Sequence, residues 1–265
     1  MTAITAIRDP DRRARLPTFA LAVLAFAGAS HLTAHASESP MPRILVIATS
    51  HTQLGNTGKP TGAYAPEIAH PHQVFTAAGY QLDLATPKGG ATPVDGRENP
   101  DPATQRFLLD PANTAWLANA RSVAAVKSAD YIAVFVAGGH GTMWDLPDDR
   151  DVQRVIAEID ARGGVVGAVC HGPAALVNVL RADHQPLVAG KRVAAFTDDE
   201  ERAVGNAEVV PFLLASTLVA RGAIHVPAPN WAENVVVDGT LVTGQNPASA
   251  KGVAERMVEV LSARR

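Results

Sequence analysis

Short apolar runs separated by segments of helical periodicity make up most of the chain. The runs are rich in Val, Ile, Leu and Ala, which is typical of strands buried on both faces of a sheet. Five such runs predict strands over residues 43–49, 81–86, 131–136, 165–169 and 191–197. A further segment, 234–244, contains Asp238-Gly239 between two apolar runs and predicts a hairpin with a tight turn.

Segments whose apolar residues recur every three or four positions lie between the predicted strands. They predict helices over residues 66–78, 114–120, 151–161, 210–221 and 248–262, and another directly after residue 170. The stretch 87–102 is rich in Pro, Gly and Asp and predicts a loop. Strands alternating with helices predict an α/β fold, a three-layer sandwich with a mostly parallel sheet. Active sites of such sheets lie at the carboxyl ends of the strands.

The junction at Cys170 has the features of a nucleophile elbow. The apolar run 165–169 ends at Cys170-His171-Gly172-Pro173, and a helical pattern of small residues follows. A strand that turns sharply into a helix exposes the residue at the bend, and nearby glycine permits the strained backbone. The alternative is that Cys170, the single cysteine of the chain, is a small buried hydrophobic residue. The context favours a nucleophile, whose thiolate the start of a helix would stabilise.

Composition excludes several classes of protein. Hydrophobic residues make up 47% of the 265 positions and charged residues 18%, which is ordinary for a globular domain. The formal net charge is −3, and the sequence contains no basic patch. A nucleic acid is therefore not expected as a partner, and small molecules are.

The first 36 residues have the pattern of a signal peptide. Four arginines precede an apolar stretch at 16–29, and a small-x-small cleavage pattern ends at Ala36. The stretch is shorter than the roughly 20 residues that span a membrane, although an uncleaved anchor is the alternative. Cleavage would leave one domain, 37–265, in the periplasm or secreted, without stable membrane association. Cys170 would be a free thiol there, because a single cysteine forms no internal disulfide.

Five short segments carry a resemblance to a known family. They read GAYAPE at 62–67, GGHG at 138–141, AVCHGPA at 168–174, FTDDEE at 196–201 and LVTGQNPAS at 241–249. In this order the chain resembles the DJ-1/PfpI superfamily, in particular its Hsp31-like branch. The resemblance implies a flavodoxin-like sandwich, a class I glutamine amidotransferase-like fold. Glutamine hydrolysis itself is excluded, because His225 lacks the His-x-Glu pattern of true glutaminase domains.

The resemblance implies roles for three residues around the elbow. Cys170 matches the family's nucleophile, and His171 matches the histidine beside it. Glu67 matches an acid on the first helix whose carboxyl group reaches the sulfur. A protonated carboxyl there can donate a hydrogen bond to thiolate and later move a proton. The alternative for Glu67 is an acid favoured by the dipole at the helix's first turn.

In the Hsp31-like branch a carboxylate after a later strand orients this histidine. Glu201 is the best match, with Glu200 and Asp198 as alternatives, since residues 198–201 are four consecutive acids. At least two of the four are expected to be solvated charges at a helix start.

The Gly-rich turn at 138–141 is expected to contribute to substrate binding. Main-chain N–H groups of Gly139 and His171 would form an oxyanion site. His140 and Trp144 are candidates to line the pocket, although ordinary packing explains Trp144 equally well. The sequence shows no spaced His/Cys pattern, so no metal site is predicted.

Hsp31-like proteins are associated with glutathione-independent glyoxalase activity, which converts a 2-oxoaldehyde such as methylglyoxal into a 2-hydroxy acid such as D-lactate. The resemblance therefore implies a cysteine-dependent lyase of the glyoxalase III (D-lactate dehydratase) type. Its substrate would be a small carbonyl compound, and it would need no cofactor. The resemblance also implies protein deglycase activity. The alternatives are a PfpI-type cysteine peptidase or amidase and a stress holdase chaperone. Dimers are common in the family, which leaves a homodimer open.

Overall fold

The structure, a computed structural model, describes residues 41–264. The predicted signal peptide, 1–36, lies outside these residues. The strands are β1 (Arg43–Ile47), β2 (Ala63–Tyr64), β3 (Gln81–Thr86), β4 (Val94–Asp95), β5 (Arg121–Ser122), β6 (Ala133–Val136), β7 (Val165–Val169), β8 (Arg192–Val193), β9 (Ile224–His225), β10 (Val235–Asp238) and β11 (Leu241–Gly244).

The α-helices of this range are α1 (Ala65–Ala77), α2 (Pro102–Leu109), α3 (Pro111–Ala118), α4 (Thr142–Asp145), α5 (Arg150–Ala161), α6 (Asp198–Ala203), α7 (Leu214–Ala220) and α8 (Ala250–Ser262). Short 3-10 helices cover Val123–Ala125, Ser128–Asp130, Gly172–Leu176 and Pro247–Ser249. Among the residues described, none of the helices combines the length and the apolar character needed to cross a membrane.

A seven-stranded sheet forms the centre of the domain, in the order β10-β11-β7-β6-β1-β3-β5. Its neighbouring strands run parallel except β10 and β11, which pair antiparallel. These two strands are the hairpin predicted at Asp238-Gly239, and Gly239 has a φ of +64°, which glycine adopts without strain. β2 with β4 and β8 with β9 form separate two-stranded sheets.

Apolar side chains cover both faces of the central sheet, because successive residues of a strand point to opposite faces. Ile44 and Val46 of β1 pack in a cluster with residues of α1 and α8. Leu45 and Ile47 pack in a second cluster with residues of α5 and α7. The sheet therefore lies between two layers of helices, and the predicted three-layer α/β sandwich with a mostly parallel sheet is confirmed.

The carboxyl ends of β1, β6 and β7 lie side by side, because these strands are parallel neighbours. The chain passes from β1 to β3 on one side and later to β6 on the other, so the strand order reverses between β1 and β6. Ligand sites of open parallel sheets lie at such a reversal. The segment 138–141 follows β6, and Cys170 follows β7, at this edge of the sheet.

The prediction of a strand over 191–197 is wrong beyond its first residues. Only β8 forms, and it pairs with β9 outside the central sheet. The following apolar residues satisfy their backbone differently: Ala194 donates its N–H to Thr243 Oγ1 at 2.9 Å, and Phe196 donates to the carbonyl of Cys170 at 3.0 Å. The run is buried because it packs beside the elbow.

The helix predicted after Cys170 also differs in type and length from the one that forms. The segment is a 3-10 helix of five residues, Gly172–Leu176. α7 begins at Leu214 rather than at residue 210, and β4 lies within the predicted loop 87–102. α2 was not predicted, although Asp101 accepts the N–H of Thr104 as N-cap and proline follows at the first helical position, a recognisable helix start.

Candidate active site

β7 ends in a sharp bend at Cys170. This residue has a φ of +60°, in the left-handed region that costs a non-glycine residue about 1–3 kcal/mol. Its N–H donates to the carbonyl of Gly244 on β11 at 2.9 Å, and its carbonyl accepts the N–H of Phe196 at 3.0 Å. The flanking segments therefore hold the strained bend in place, and the predicted nucleophile elbow is present.

Gly138 makes room for a carboxyl group beside the thiol. A Cβ added at Gly138 would lie 2.2 Å from Glu67 Oε2 and 2.9 Å from the Cβ of Cys170. Any side chain at this position would thus displace Glu67 from Cys170. Glu67 lies in the first turn of α1, where Pro66 precedes it, and the fixed φ of proline pre-organises the backbone of this helix start.

Glu67 and Cys170 are buried together. Burial raises the pKa of Glu67 to about 8, although the thiol of Cys170 and the main chain of Gly138 offset part of the rise. Burial also raises the pKa of the Cys170 thiol, and repulsion from a Glu67 carboxylate adds to it. The pair therefore resists carrying two negative charges, and at neutral pH Glu67 is protonated. Its oxygens lack a hydrogen-bond partner of good geometry within the described residues, which suits a group that meets a substrate.

The expectation that a helix start favours the thiolate of Cys170 is wrong. The short 3-10 helix that follows supplies little dipole, since the helix macrodipole needs aligned peptide units. Burial dominates and raises the pKa of the thiol, while the main-chain N–H groups of His171 and Gly139 lower it. These are the two N–H groups predicted for the oxyanion site, and the structure places both at the sulfur. Gly139 has a φ of +101°, which a side chain would not tolerate.

His171 lies between the thiol and a carboxylate. Its Nδ1 lies 3.3 Å from Cys170 Sγ, and its Nε2 lies 2.7 Å from Glu201 Oε2. Because a carboxylate only accepts, Nε2 carries the hydrogen and Nδ1 presents a lone pair to the thiol. Burial and the neighbouring His140 lower the pKa of His171 to about 4. The imidazole is thus neutral at physiological pH and can accept the proton of the thiol.

Glu201 serves two histidines with its two oxygens. Oε1 accepts a hydrogen bond from His140 Nε2 at 2.9 Å, while Oε2 accepts from His171. Burial acts to raise the pKa of Glu201, but the hydrogen bonds from His140 and His171 outweigh it and bring the pKa to about 2. Ligand-type atoms of these three residues lie within 4.8 Å of one another. Both ring nitrogens carry hydrogens that Glu201 accepts, so hydrogen bonding accounts for the arrangement.

The four consecutive acids divide into two pairs. Glu200 and Glu201 are buried, whereas Asp198 accepts from Ser216 and Asp199 pairs with Arg202 at 2.7 Å on the surface. Of the three candidates for orienting His171, Glu201 is the one in contact with it.

A pocket of about 220 Å³ opens onto the thiol. Its lining includes the predicted Cys170, His171, Glu67, Gly139 and His140. Sequence reasoning missed its other walls, formed by Tyr64, Asp95, Phe196, Val204, Trp231 and Pro247. Phe196 belongs to FTDDEE at 196–201, one of the five segments that carry the resemblance, and could have been predicted from it. The loop around Trp231 carries no local sequence signal.

Trp144 lies outside this pocket lining. Its ring stacks on the ring of His51, with centroids 5.1 Å apart and an interplanar angle of 7°. Trp144 also packs against the buried cluster that contains α5. The alternative explanation, ordinary packing, is therefore the correct one.

Comparisons with known proteins agree with this architecture. The chain is 34% identical over 230 residues to "Glyoxalase 3" of Candida albicans, covering 82% of this chain and 98% of that protein. It is 32% identical over 235 residues to "Glutathione-independent glyoxalase HSP31" of Saccharomyces cerevisiae, covering 83% and 98%.

Solved structures lead to the same group of proteins. The Rapid Encystment Protein of Francisella tularensis superposes with a TM-score of 0.81 at 35% identity, covering 83% of this chain and 99% of that one. Glyoxalase III from Candida albicans superposes with a TM-score of 0.77 at 29% identity, covering 83% and 97%. The sequence profile of the DJ-1/PfpI family matches residues 61–260. The chain belongs to the DJ-1/PfpI family, in its Hsp31-like branch.

Proposed function

We propose that this protein is a cysteine-dependent, glutathione-independent glyoxalase that converts 2-oxoaldehydes such as methylglyoxal into 2-hydroxy acids such as D-lactate. One observation carries the proposal: a fully buried acid with a pKa of about 8, Glu67, lies beside the thiol of Cys170 in one small pocket. Isomerisation of an oxoaldehyde needs a nucleophile and a group that both accepts and donates a proton. The names of the relatives support the same activity.

The first step is addition of the thiol to the aldehyde. His171 Nδ1, 3.3 Å from Sγ, takes the thiol proton as sulfur attacks the aldehyde carbon. The N–H groups of Gly139 and His171 stabilise the developing oxyanion. Because the pKa of His171 is about 4, the imidazolium readily returns the proton to that oxygen, which gives a neutral hemithioacetal.

The second step moves hydrogen between the two carbons. Protonated Glu67 donates its proton to the ketone oxygen, and the resulting carboxylate removes the proton from the former aldehyde carbon, so that the electron pair forms an enediol with the neighbouring carbon. Glu67 then donates this proton to that second carbon and takes up the proton of the hydroxyl group on the first carbon, which becomes the thioester carbonyl. One carbon is oxidised to a thioester and the other reduced to an alcohol, so no external oxidant is required. A pKa near the ambient pH suits a group that acts first as base and then as acid.

The third step is hydrolysis of the thioester. Water attacks the acyl carbon, the thiolate leaves and takes up a proton, and the 2-hydroxy acid departs. The thiol that glutathione would provide is supplied by Cys170. His171, oriented by Glu201 at 2.7 Å, is the base in position to activate the water.

The test is lactate formation from methylglyoxal by the purified protein without glutathione. Cys170→Ala should abolish turnover, and Glu67→Gln should lower kcat at least about a hundredfold, since general acid–base groups contribute roughly 10²–10⁴. Glu255→Gln, the same change on the exposed face of α8, serves as the matched control. Undiminished turnover by Cys170→Ala would contradict the proposal.

A cysteine hydrolase of the PfpI type is the second candidate, because the Cys170–His171–Glu201 geometry also suits acyl transfer. Glu67 separates the two functions. A hydrolase needs no proton transfer between carbons, so Glu67→Gln would keep activity on an activated ester. A glyoxalase loses its lactate formation in the same variant.

A further inference from the structure

Trp231 is a large aromatic residue that the fold holds half exposed at the reaction pocket. Its side chain lines the pocket, and the residue is 49% exposed. Its φ is +67°, a region that bulky residues rarely adopt. Strained residues of this kind persist only where the surroundings hold them, and they cluster at ligand-binding sites.

The buried carboxylate of Glu200 supplies this support. Its Oε1 accepts the N–H of Trp231 at 2.8 Å and the side-chain amide of Asn246 at 2.8 Å. Its Oε2 accepts the N–H of Thr197 at 3.0 Å. The same Asn246 amide donates to the carbonyl of Ala232 at 2.9 Å. Glu200, 0% exposed, therefore ties the loop around Trp231 to the start of α6.

Aromatic rings lead from the reacting thiol outward to Trp231. The ring of His171, beside Cys170, lies 4.3 Å from that of Phe196, and Phe196 lies 5.8 Å from Trp231. These centroid distances are those of interacting aromatic pairs. One side of the pocket is thus a continuous aromatic wall.

The size and charge of the pocket describe the substituent that fits beside this wall. A three-carbon oxoaldehyde leaves much of the roughly 220 Å³ unfilled. The described lining contains no Lys or Arg, and Asp95 adds a carboxyl group, so an anionic substituent is disfavoured. An uncharged, apolar group is the complement of this surface.

We infer that Trp231 and Phe196 select 2-oxoaldehydes whose ketone carbon carries an aromatic or long alkyl substituent, and that Glu200 is the positioning residue for Trp231. The inference rests on the proposed glyoxalase function. The aldehyde carbon lies at Cys170 while the substituent packs along the aromatic wall.

The first test compares kcat/KM for phenylglyoxal and methylglyoxal. The unmodified protein should prefer phenylglyoxal about tenfold or more, because each additional buried carbon increases discrimination in an apolar pocket. Trp231→Ala should reduce this preference about tenfold, and Trp231→Phe should retain most of it. The control is Trp116→Ala, which removes a tryptophan that packs on His72. An unchanged preference in Trp231→Ala would overturn the inference.

The positioning role of Glu200 needs its own readout. Glu200→Gln replaces one acceptor oxygen with a donor, so Trp231 should lose its fixed place and the preference should fall as in Trp231→Ala. The double variant should show no further loss, because the two changes act on one element. An equal decrease in kcat/KM for phenylglyoxal and methylglyoxal would mean that Glu200 has a purely structural role, which would contradict its positioning role. Asn246→Ser, which removes the tie to Ala232, gives the same readout if Glu200→Gln does not fold.

Binding of products separates failure of this inference from failure of the proposed function. Mandelate and lactate, the products from phenylglyoxal and methylglyoxal, carry the same carboxylate, so their comparison isolates the ring. The Cys170→Ser protein should bind mandelate at least about tenfold more tightly than lactate, and Trp231→Ala should remove the difference. If mandelate binds more tightly in this way but the unmodified protein turns over neither aldehyde, the selection by the aromatic wall is supported and the glyoxalase reaction is contradicted. Turnover of methylglyoxal with no preference for mandelate over lactate would support the glyoxalase reaction and contradict the selection by the aromatic wall.

Discussion

The chemistry of this site depends on two acidic hydrogens buried side by side. Glu67 and the thiol of Cys170 share a pocket that tolerates one negative charge better than two, because burial raises the pKa of both groups. His171 has the opposite shift, since burial keeps its imidazole neutral. The resting site is therefore uncharged at the thiol, and charge develops there only when a substrate is present.

Replacing Glu67 should stabilise the protein in a pH-dependent way. The folded protein keeps the Glu67 proton up to a pKa of about 8, whereas the unfolded chain loses it near 4.5. Stability from this group is thus complete below pH 4.5 and is lost as pH rises to 8. Glu67→Gln avoids the loss, so its gain in unfolding free energy should grow by about 3 kcal/mol between pH 5 and pH 8.

Urea unfolding of both proteins across this pH range measures the effect. The exposed Glu255→Gln should show no comparable trend. A gain for Glu67→Gln that is the same at pH 5 and pH 8 would mean that Glu67 titrates normally in the folded protein.

At the level of elements, the short helix α6 determines where the catalytic carboxylate points. Thr197 caps the helix by accepting the N–H of Glu200 at 2.9 Å, and Glu200 accepts the N–H of Thr197 in return. Glu201, the next residue, then faces His171. A reciprocal cap of this kind fixes the rotation of a short helix.

Removing this cap should weaken both stability and catalysis. Thr197→Ala should cost about 1 kcal/mol of unfolding free energy and lower kcat, because Glu201 would no longer be held against His171. Thr197→Ser keeps the hydroxyl and should restore both properties. Thr76→Ala, on the exposed side of α1, controls for loss of a helical threonine. A Thr197→Ala variant with full activity would show that the cap is not needed to hold Glu201 against His171.

Local patterns in the sequence predicted the central strands and most helices, because continuous apolar runs and helical periodicity report burial directly. The run 191–197 was misassigned for the same reason: Phe196 is buried against the elbow without joining a sheet. The strand-to-helix pattern alone predicted Cys170, the resemblance supplied His171, Glu67 and Glu201, and the structure brings these four together. The prediction that a helix start stabilises the Cys170 thiolate was wrong. The pKa of this thiol depends on burial and on the type of helix that follows, and periodicity does not distinguish a 3-10 helix from an α-helix.

At the level of the whole molecule, the site exists only because distant segments meet at one edge of the sheet. α1 supplies Glu67, the end of β6 supplies Gly139, β7 leads to Cys170, and α6 supplies Glu201. Trp231 joins them from a loop before β10. Long-range pairing of this kind is set by the strand order and not by local sequence, which is why the wall formed by Trp231 was not predicted.

Export of the domain is a prediction for the whole chain that rests on residues 1–36. We propose that this segment is a signal peptide, from its arginines, its apolar stretch and the cleavage pattern at Ala36. Expression in a bacterial host should place the protein in the periplasm or medium with Ser37 as its first residue. Intact mass measurement and cell fractionation test this, and a full-length cytoplasmic chain would contradict it.

The crowding of acids around Cys170 has a consequence for anyone labelling this protein. Glu67 lies beside the thiol, Asp95 belongs to the pocket lining, and Glu201 lies behind His171. An alkylating reagent that carries its own carboxylate must enter against the carboxylates of Asp95 and Glu201, while Glu67, protonated at neutral pH, offers no positive charge to attract it. Iodoacetamide should therefore modify Cys170 roughly tenfold or more faster than iodoacetate does, a ratio that mass spectrometry of the labelled peptide can follow. Covalent probes for this pocket are best built on uncharged warheads with an aromatic tail.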